Sequence, residues 1–240
     1  PGIALATAAW PADPVVDILR RSPPRTVGGA PLRHSLGDDG VPRTVPDIVA
    51  SLRDLDDSYI AVQGPPGTGK TYVATHVIAE LVREHGWAVG VVAQSHAAVE
   101  NLLSGLVRTG LSPQLVAKAL SASVGPDDAE RSFTVLPKSG HLAFAAERVA
   151  AGTGYVIGGT AWDFSNTDRF GRRQLDLLVV EEAGQFALAP TIAASVAARN
   201  LLLLGDPQQL PQVTQGIHPE PIDTSALGFV ADGADVLPTR

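Results

Sequence analysis

The chain contains no cysteine, so neither a disulfide nor a thiolate-bound metal can form within it. That absence accords with a reducing compartment, and a cytoplasmic location is expected. Positive charge is scarce as well: 18 Lys and Arg stand against 25 Asp and Glu, a net charge of −7. A broad basic face that coats nucleic acid is therefore excluded, though a narrow groove holding one strand is not. After Arg173 the only basic residues are Arg199 and Arg240, so such a groove must draw on earlier segments. The six histidines lack ligand spacing, and each is expected to be a surface or local polar residue rather than a metal ligand. No apolar run approaches the ~18 residues of a membrane span, and the start lacks a signal-peptide pattern. No membrane association is expected. The first residue is Pro1 rather than Met, as expected of an excised or processed piece.

What is present is an ordinary globular composition, 45% hydrophobic and 18% charged over 240 residues, enough for one large domain or two small ones. The most informative stretch is Tyr59 to Thr71. Tyr59 to Gln63 reads as a buried strand, and Gly64-Pro65-Pro66-Gly67-Thr68-Gly69-Lys70-Thr71 fits the phosphate-binding loop pattern Gly-x-x-x-x-Gly-Lys-Thr. Thr71 to Arg83 follows with apolar residues at helical spacing. A triphosphate needs several donors converging on one concave spot. The glycines let the backbone approach the oxygens, and the amides of the first helical turn point at them. Lys70 supplies a mobile charge at the β/γ bridge and the Thr71 hydroxyl a ligand for Mg²⁺.

Along the rest of the chain, residues 1–44 are rich in Pro, Gly and Arg and read as linker or irregular structure, with a short helix at Val15 to Arg21. Thr44 to Leu55 reads as a helix. Ala88 to Ala93 is a second strand, and Ser95 is placed to cap the helix that follows. Residues 110–140 read as a small insertion covering one edge of the core, with a brief strand at Leu115 to Ala117. His141 to Ala151 reads as a helix and Tyr155 to Gly158 as a strand. Trp162, just beyond it, is expected to pack rather than to stack on a base, and Arg169, Arg172 and Arg173 to form a solvated loop. Leu175 to Glu181 is an apolar strand that delivers Glu181 and Glu182 at its carboxyl end. Mg²⁺-assisted phosphoryl transfer needs such a pair: one carboxylate for the metal, one for the attacking water. Ala187 to Ala198 reads as a helix and Leu201 to Leu204 as a strand, and Gly205 to Pro211 turns away from that strand. Residues 215–240 show no convincing periodicity and read as loop or tail.

Strands alternating with helices predict an α/β fold, a parallel sheet with helices on both faces. The ordered motifs resemble the first RecA-like P-loop NTPase domain of superfamily 1 helicases, in the 1B branch that contains the nonsense-mediated-decay helicase and its bacterial relatives. Gly64 to Thr71 resembles motif I, Gln94 to Leu103 motif Ia, Val156 to Trp162 motif Ic, Val180 to Gln185 motif II and Gly205 to Pro211 motif III. The wording from Leu201 to Gly216 and around His218 is similar to the motor part of bacterial proteins that fuse a RecB-like nuclease to a helicase. The likeness spans about Val45 to Leu237. It implies an ATPase domain at 45–214 between the N-terminal segment and a tail truncated before a second RecA-like domain. It further implies ATP and Mg²⁺ as cofactors and single-stranded nucleic acid as partner, with DNA favoured over RNA. In this reading Lys70, Glu182 and Gln209 are the catalytic set, Glu182 as general base and Gln209 as γ-phosphate sensor. Thr71 and Glu181 hold Mg²⁺, and Ser95, Asn101 and Thr160 grip the sugar-phosphate backbone.

Three departures from the family pattern stand out. Position 181 is glutamate where motif II opens with aspartate. The position nearest to the usual adenine-reading glutamine is Asp47. The second RecA-like domain with its arginine fingers does not follow before Arg240. The leading expectation is thus the ATP-binding half of a helicase. The alternative is a nucleotide-gated binding module in which Glu181 damps hydrolysis; a metabolic kinase is disfavoured for want of an acceptor lid.

Overall fold

Seven strands, all parallel, form one sheet among the residues that the computed structural model describes, which are 10–33, 43–65, 67–119, 131–209, 218–234 and 237. They are β1 (Tyr59–Gln63), β2 (Ala88–Val92), β3 (Val116–Ala119), β4 (Thr134–Leu136), β5 (Tyr155–Gly159), β6 (Leu175–Val180) and β7 (Ala198–Gly205). Their order across the sheet is β1-β7-β6-β2-β5-β3-β4. Strands β2 and β6 are near-continuous runs of Val and Leu because helices cover both faces of the sheet.

On one face lie α2 (Thr44–Arg53), α3 (Lys70–His85) and α4 (His96–Arg108), whose Leu52, Ile78, Leu102 and Leu106 share a core with Val89, Val91 and Leu202. On the other lie α1 (Pro14–Leu19), α5 (His141–Ala150), α6 (Ala161–Ser165), α7 (Leu188–Ser195) and α8 (Ala226–Ala231). Their Ile18, Phe144, Phe164, Leu188 and Leu227 pack on Leu178, Val180 and Leu203. Local chemistry sets several ends. The Ser95 hydroxyl accepts the Ala98 amide and starts α4, and Gly86 in the left-handed region stops α3. No helix among the described residues is long and apolar enough to cross a membrane.

The structure departs from the sequence expectation at the C-terminal end and adds to it elsewhere. Within 1–44, the short helix expected at Val15 to Arg21 is present as α1 and is docked on the domain. Asp17, buried, accepts from Arg25 Nε at 2.9 Å and from the Ser58 hydroxyl at 2.7 Å, tying the segment to the start of β1. Within 215–240, α8 is capped by Ser225 and buries Leu227 and Phe229. In the 110–140 segment, the brief strand expected at Leu115 to Ala117 is present as β3, and β3 and β4 continue the sheet beyond β5. Lys118 on β3 is 1% exposed, its ammonium 2.7 Å from Glu100 Oε1 on α4.

His141 corrects the expectation that every histidine is superficial. It is 1% exposed, neither ring nitrogen has a hydrogen-bond partner, and its edge faces Phe170 at 5.3 Å. Burial, with the Arg169 charge adding to it, lowers its pKa from 6.5 to about 4. Above 6.5 the ring is neutral folded or unfolded. As pH falls from there towards 4, the unfolded chain takes up a proton that the folded chain refuses, and stability drops by up to about 3 kcal/mol. Urea unfolding of His141→Phe should therefore lose less stability than wild type between about pH 7.5 and about pH 4.5. Equal losses would show that His141 titrates freely.

Candidate nucleotide site and adjoining groove

The sheet order brings three strand ends side by side: β1 leads into the phosphate-binding loop, β7 into the 205–209 turn and β6 into Glu181 and Glu182. This is the carboxyl edge where ligands of parallel sheets sit. The loop after β1 is tied to β7, the Gly64 amide donating to the Gly205 carbonyl at 3.0 Å. Gly67 and Gly69 have φ of 80° and 82°, a left-handed backbone that glycine adopts without steric cost. Thr68 donates its hydroxyl to the Pro65 carbonyl at 2.8 Å, and the Lys70 ammonium donates to the carbonyls of Gly64 and Pro65, the latter at 2.8 Å. The lysine thus lies across the mouth of the loop, while the first turn of α3 presents its amides. Pro66 lies outside the described residues.

Thr71 donates its hydroxyl to Glu181 Oε1 at 3.0 Å, a contact between residues 110 positions apart. Glu181 is 7% exposed and its Oε2 is buried without a hydrogen-bond partner. Burial pushes this carboxyl up, against the Thr71 hydrogen bond that favours the ionised form; Glu182 pushes it further up and Lys70 opposes. An orphaned carboxylate oxygen beside a hydroxyl, at the mouth of a phosphate-binding loop, is a donor set that fits Mg²⁺. That ion binds through one or two protein oxygens and substrate phosphates rather than in a protein cage. Among the described residues no group of three or more His, Asp or Glu side chains is placed to hold a metal ion.

Glu182 sits at φ 57°, a left-handed conformation that costs a non-glycine residue roughly 1–2 kcal/mol. The turn that holds it there is closed by Gln185 and Phe186 amides donating to its carbonyl at 2.7 and 3.0 Å. Its side chain is half-buried at the strand end. Two residues the sequence reading did not assign complete the arrangement. Gln185 Nε2 donates to Gln209 Oε1 at 2.9 Å, joining the turn after β6 to the turn after β7. Gly184 lets the same two turns touch, since a Cβ there would lie 1.9 Å from the Asp206 carbonyl oxygen. Only the run Glu181-Glu182-Ala183-Gly184-Gln185 at the end of an apolar strand hinted at either. Asp47 lies in the first turn of α2.

Beside these ends, β2 and β5 carry Ser95 and Thr160. Ser95 is exposed and accepts the Ala98 amide at 3.0 Å, leaving its hydroxyl hydrogen to donate. Asn101, six residues further along α4, is exposed. The Thr160 hydroxyl is engaged twice: it donates to Asp163 Oδ2 at 2.7 Å and accepts the Asp163 amide at 3.2 Å, and the Thr160 amide donates to Asp163 Oδ2 at 2.7 Å to close a capping box. Ser95 and Thr160 line one groove of about 300 Å³ with His96, Trp162, Phe186 and Pro190. Asn101 does not line it. Two expectations fail here. Trp162 does not pack: it is 71% exposed, because the short α6 turns Phe164 inward and the indole outward. The arginines are not all solvated, since Arg169 pairs with Asp163 and Arg173 with Asp57, while Arg172 alone is exposed.

Residues 47–222 match the family model described as an AAA domain. Over 157 residues, 65% of this chain, the sequence is 27% identical to the DNA replication ATP-dependent helicase/nuclease DNA2 of Mus musculus, and covers 14% of that protein. A stretch of 75 residues, 31% of this chain, is 39% identical to the Regulator of nonsense transcripts 1 homolog of Drosophila melanogaster and covers 6% of it. The chain therefore spans only a small part of the curated relatives it matches. Among solved structures, a nuclease-deletion mutant of the Type ISP restriction-modification enzyme LlaGI in complex with a DNA substrate mimic aligns with a TM-score of 0.49 and 14% identity. That alignment covers 74% of this chain and 18% of the other.

Proposed function

Because the chain belongs to the AAA domain family, we propose that it is the ATP-binding half of an ATP-dependent superfamily 1 helicase, acting on single-stranded nucleic acid, DNA in preference to RNA. The ATPase body is 45–214, and a second RecA-like domain elsewhere in the protein completes the site. The observation that carries this reading is the 3.0 Å contact of Thr71 with Glu181, which joins the phosphate-binding loop to the acidic strand end.

In the proposed mechanism the loop amides and Lys70 bind the β- and γ-phosphates of ATP. Thr71 and Glu181 would hold Mg²⁺, which neutralises phosphate charge when bound. Glu182 accepts the proton of the attacking water, and Gln209, steadied by Gln185, contacts the γ-phosphate. Ser95, Asn101 and Thr160 hold the strand through neutral groups, Thr160 after turning its hydroxyl hydrogen away from Asp163 Oδ2 while the two bonds of the capping box stay in place, so an acidic domain can still bind it. Arginines of the second domain are typically worth ~10³ to 10⁵ in rate. The chain alone should accordingly bind Mg²⁺-ATP yet turn it over slowly, whereas the full-length protein should show strand-stimulated hydrolysis. A chain that binds no ATP would overturn the reading.

The damped-hydrolysis alternative draws on Glu181 itself, whose carboxylate reaches the Thr71 hydroxyl directly. An aspartate would end roughly 1 Å short of it and leave room for a metal-bound water. Glu181→Asp in the full-length protein should raise ATP turnover several-fold or lower the Mg²⁺ concentration required. A fall in steady-state turnover would mean that the turn is adapted to glutamate.

A further inference from the structure

The groove beside the nucleotide site holds a large aromatic surface that the proposed backbone grip does not use. We propose that Trp162 is a base-stacking platform, on which one nucleobase of a single strand lies flat in the groove that it shares with His96. The inference rests on the reading of the chain as a single-strand binder, and adds that this strand is held by a base as well as by its backbone.

Four observations converge on this occupant. The indole is 71% exposed yet rigidly mounted: the Thr160–Asp163 capping box starts α6, Arg169 pairs with Asp163, and the neighbouring Phe164 is buried and stacked on Phe170 at 4.7 Å. An aromatic fixed in its binding orientation loses little entropy when a ring settles on it. The groove is uncharged: none of its lining residues is Asp, Glu, Lys or Arg. Burial and the nearby Lys118 charge also depress the His96 pKa, which keeps that imidazole neutral. The Lys118 charge is itself paired with Glu100 on α4. Such a site offers the backbone only neutral groups, such as the hydroxyls of Ser95 and Thr160, whereas the π-face of a base needs no charge at all and can fill the rest. The volume of about 300 Å³ admits a ring of nucleobase size. Finally, Phe186 and Pro190 continue the groove from the turn that carries Glu182 and Gln185, so the occupant lies on the same carboxyl edge as the nucleotide site.

The test is fluorescence anisotropy of the chain with labelled single-stranded oligonucleotides, intact or carrying abasic positions. Trp162→Ala should weaken binding of the intact strand about tenfold or more, and Trp162→Phe should restore most of it. Abasic substitution should weaken wild-type binding to a similar degree and leave Trp162→Ala little more to lose. The melting temperature should not change, because the indole buries little. Trp162→Ala binding like wild type, or losing as much on abasic strands as on intact ones, would overturn the platform. If Ser95→Ala with Asn101→Ala weakened binding while Trp162→Ala did not, the single-strand reading would stand and the platform would fall. If wild type bound no oligonucleotide, both would fall.

Discussion

Replacing Lys70 with alanine is expected to abolish Mg²⁺-dependent ATP binding at accessible concentrations while leaving the fold unchanged. The side chain contributes no core volume. Among the described residues its ammonium hydrogen-bonds the carbonyls of Gly64 and Pro65, in the loop where the Thr68 hydroxyl also bonds Pro65. Loss of those two bonds leaves carbonyls that water can satisfy, so the melting temperature should hold. The phosphates fare differently. They carry several negative charges, and the acidic chain offers Glu181 and Glu182 beside them; Lys70 is the cation of the loop itself. Truncating one partner of a desolvated charge pair costs about 2–5 kcal/mol, roughly one and a half to three and a half orders of magnitude in affinity. Titration with a fluorescent ATP analogue in Mg²⁺ measures this, and differential scanning fluorimetry checks the fold. Affinity equal to wild type would remove the phosphate-binding assignment of Gly64 to Thr71.

The nucleotide end of the molecule was legible because its information is local. Gly64 to Thr71 encodes a turn whose glycines, lysine and threonine have fixed offsets, and the apolar runs before Glu181 and Gly205 can only be buried parallel strands. That Thr71 meets Glu181 follows once both are placed at strand ends of one sheet. What was not legible depends on neighbours distant in sequence. Lys118 lies just past the strand expected at Leu115 to Ala117, and nothing local marks it as buried; it tolerates burial because Glu100 reaches it from α4. Trp162 follows a core strand and reads as packing, but which face of a helix of five residues turns outward is decided by Phe164, Phe170 and the cap. Arg169 and Arg173 resemble a free basic loop until Asp163 and Asp57 are brought beside them. Helix α8 spans six residues with Gly228 inside, too short for periodicity, and is held by burial of Leu227 and Phe229.

Gly184→Ala should be the most damaging single-methyl change in the domain. The added Cβ would sit 1.9 Å from the Asp206 carbonyl oxygen, 2.8 Å from its carbon and 3.2 Å from its nitrogen. All three are backbone atoms, so no side chain can swing aside; one of the two turns has to retreat. Each turn is pinned. Ala183 donates its amide to Leu204 at 2.8 Å, and the Gly205 carbonyl holds the Gly64 amide at 3.0 Å. Moving them apart strains β6 against β7 and stretches the 2.9 Å bond between Gln185 and Gln209. Overpacking of this kind costs typically 1–3 kcal/mol and occasionally more, and here the upper end is expected. At about 2–4 °C per kcal/mol for a chain of this size, the melting temperature should fall by roughly 6–12 °C. ATP affinity should fall with it even well below that temperature, because Gly64, Glu181 and Gln209 lose their common frame. The pairing of effects separates this variant from Lys70→Ala, which should lose affinity alone. Thermal unfolding and nucleotide titration on the same sample make the comparison. A Gly184→Ala protein with wild-type stability would mean that the turns after β6 and β7 do not meet, and the coupling of Gln209 to the acidic strand end would go with them.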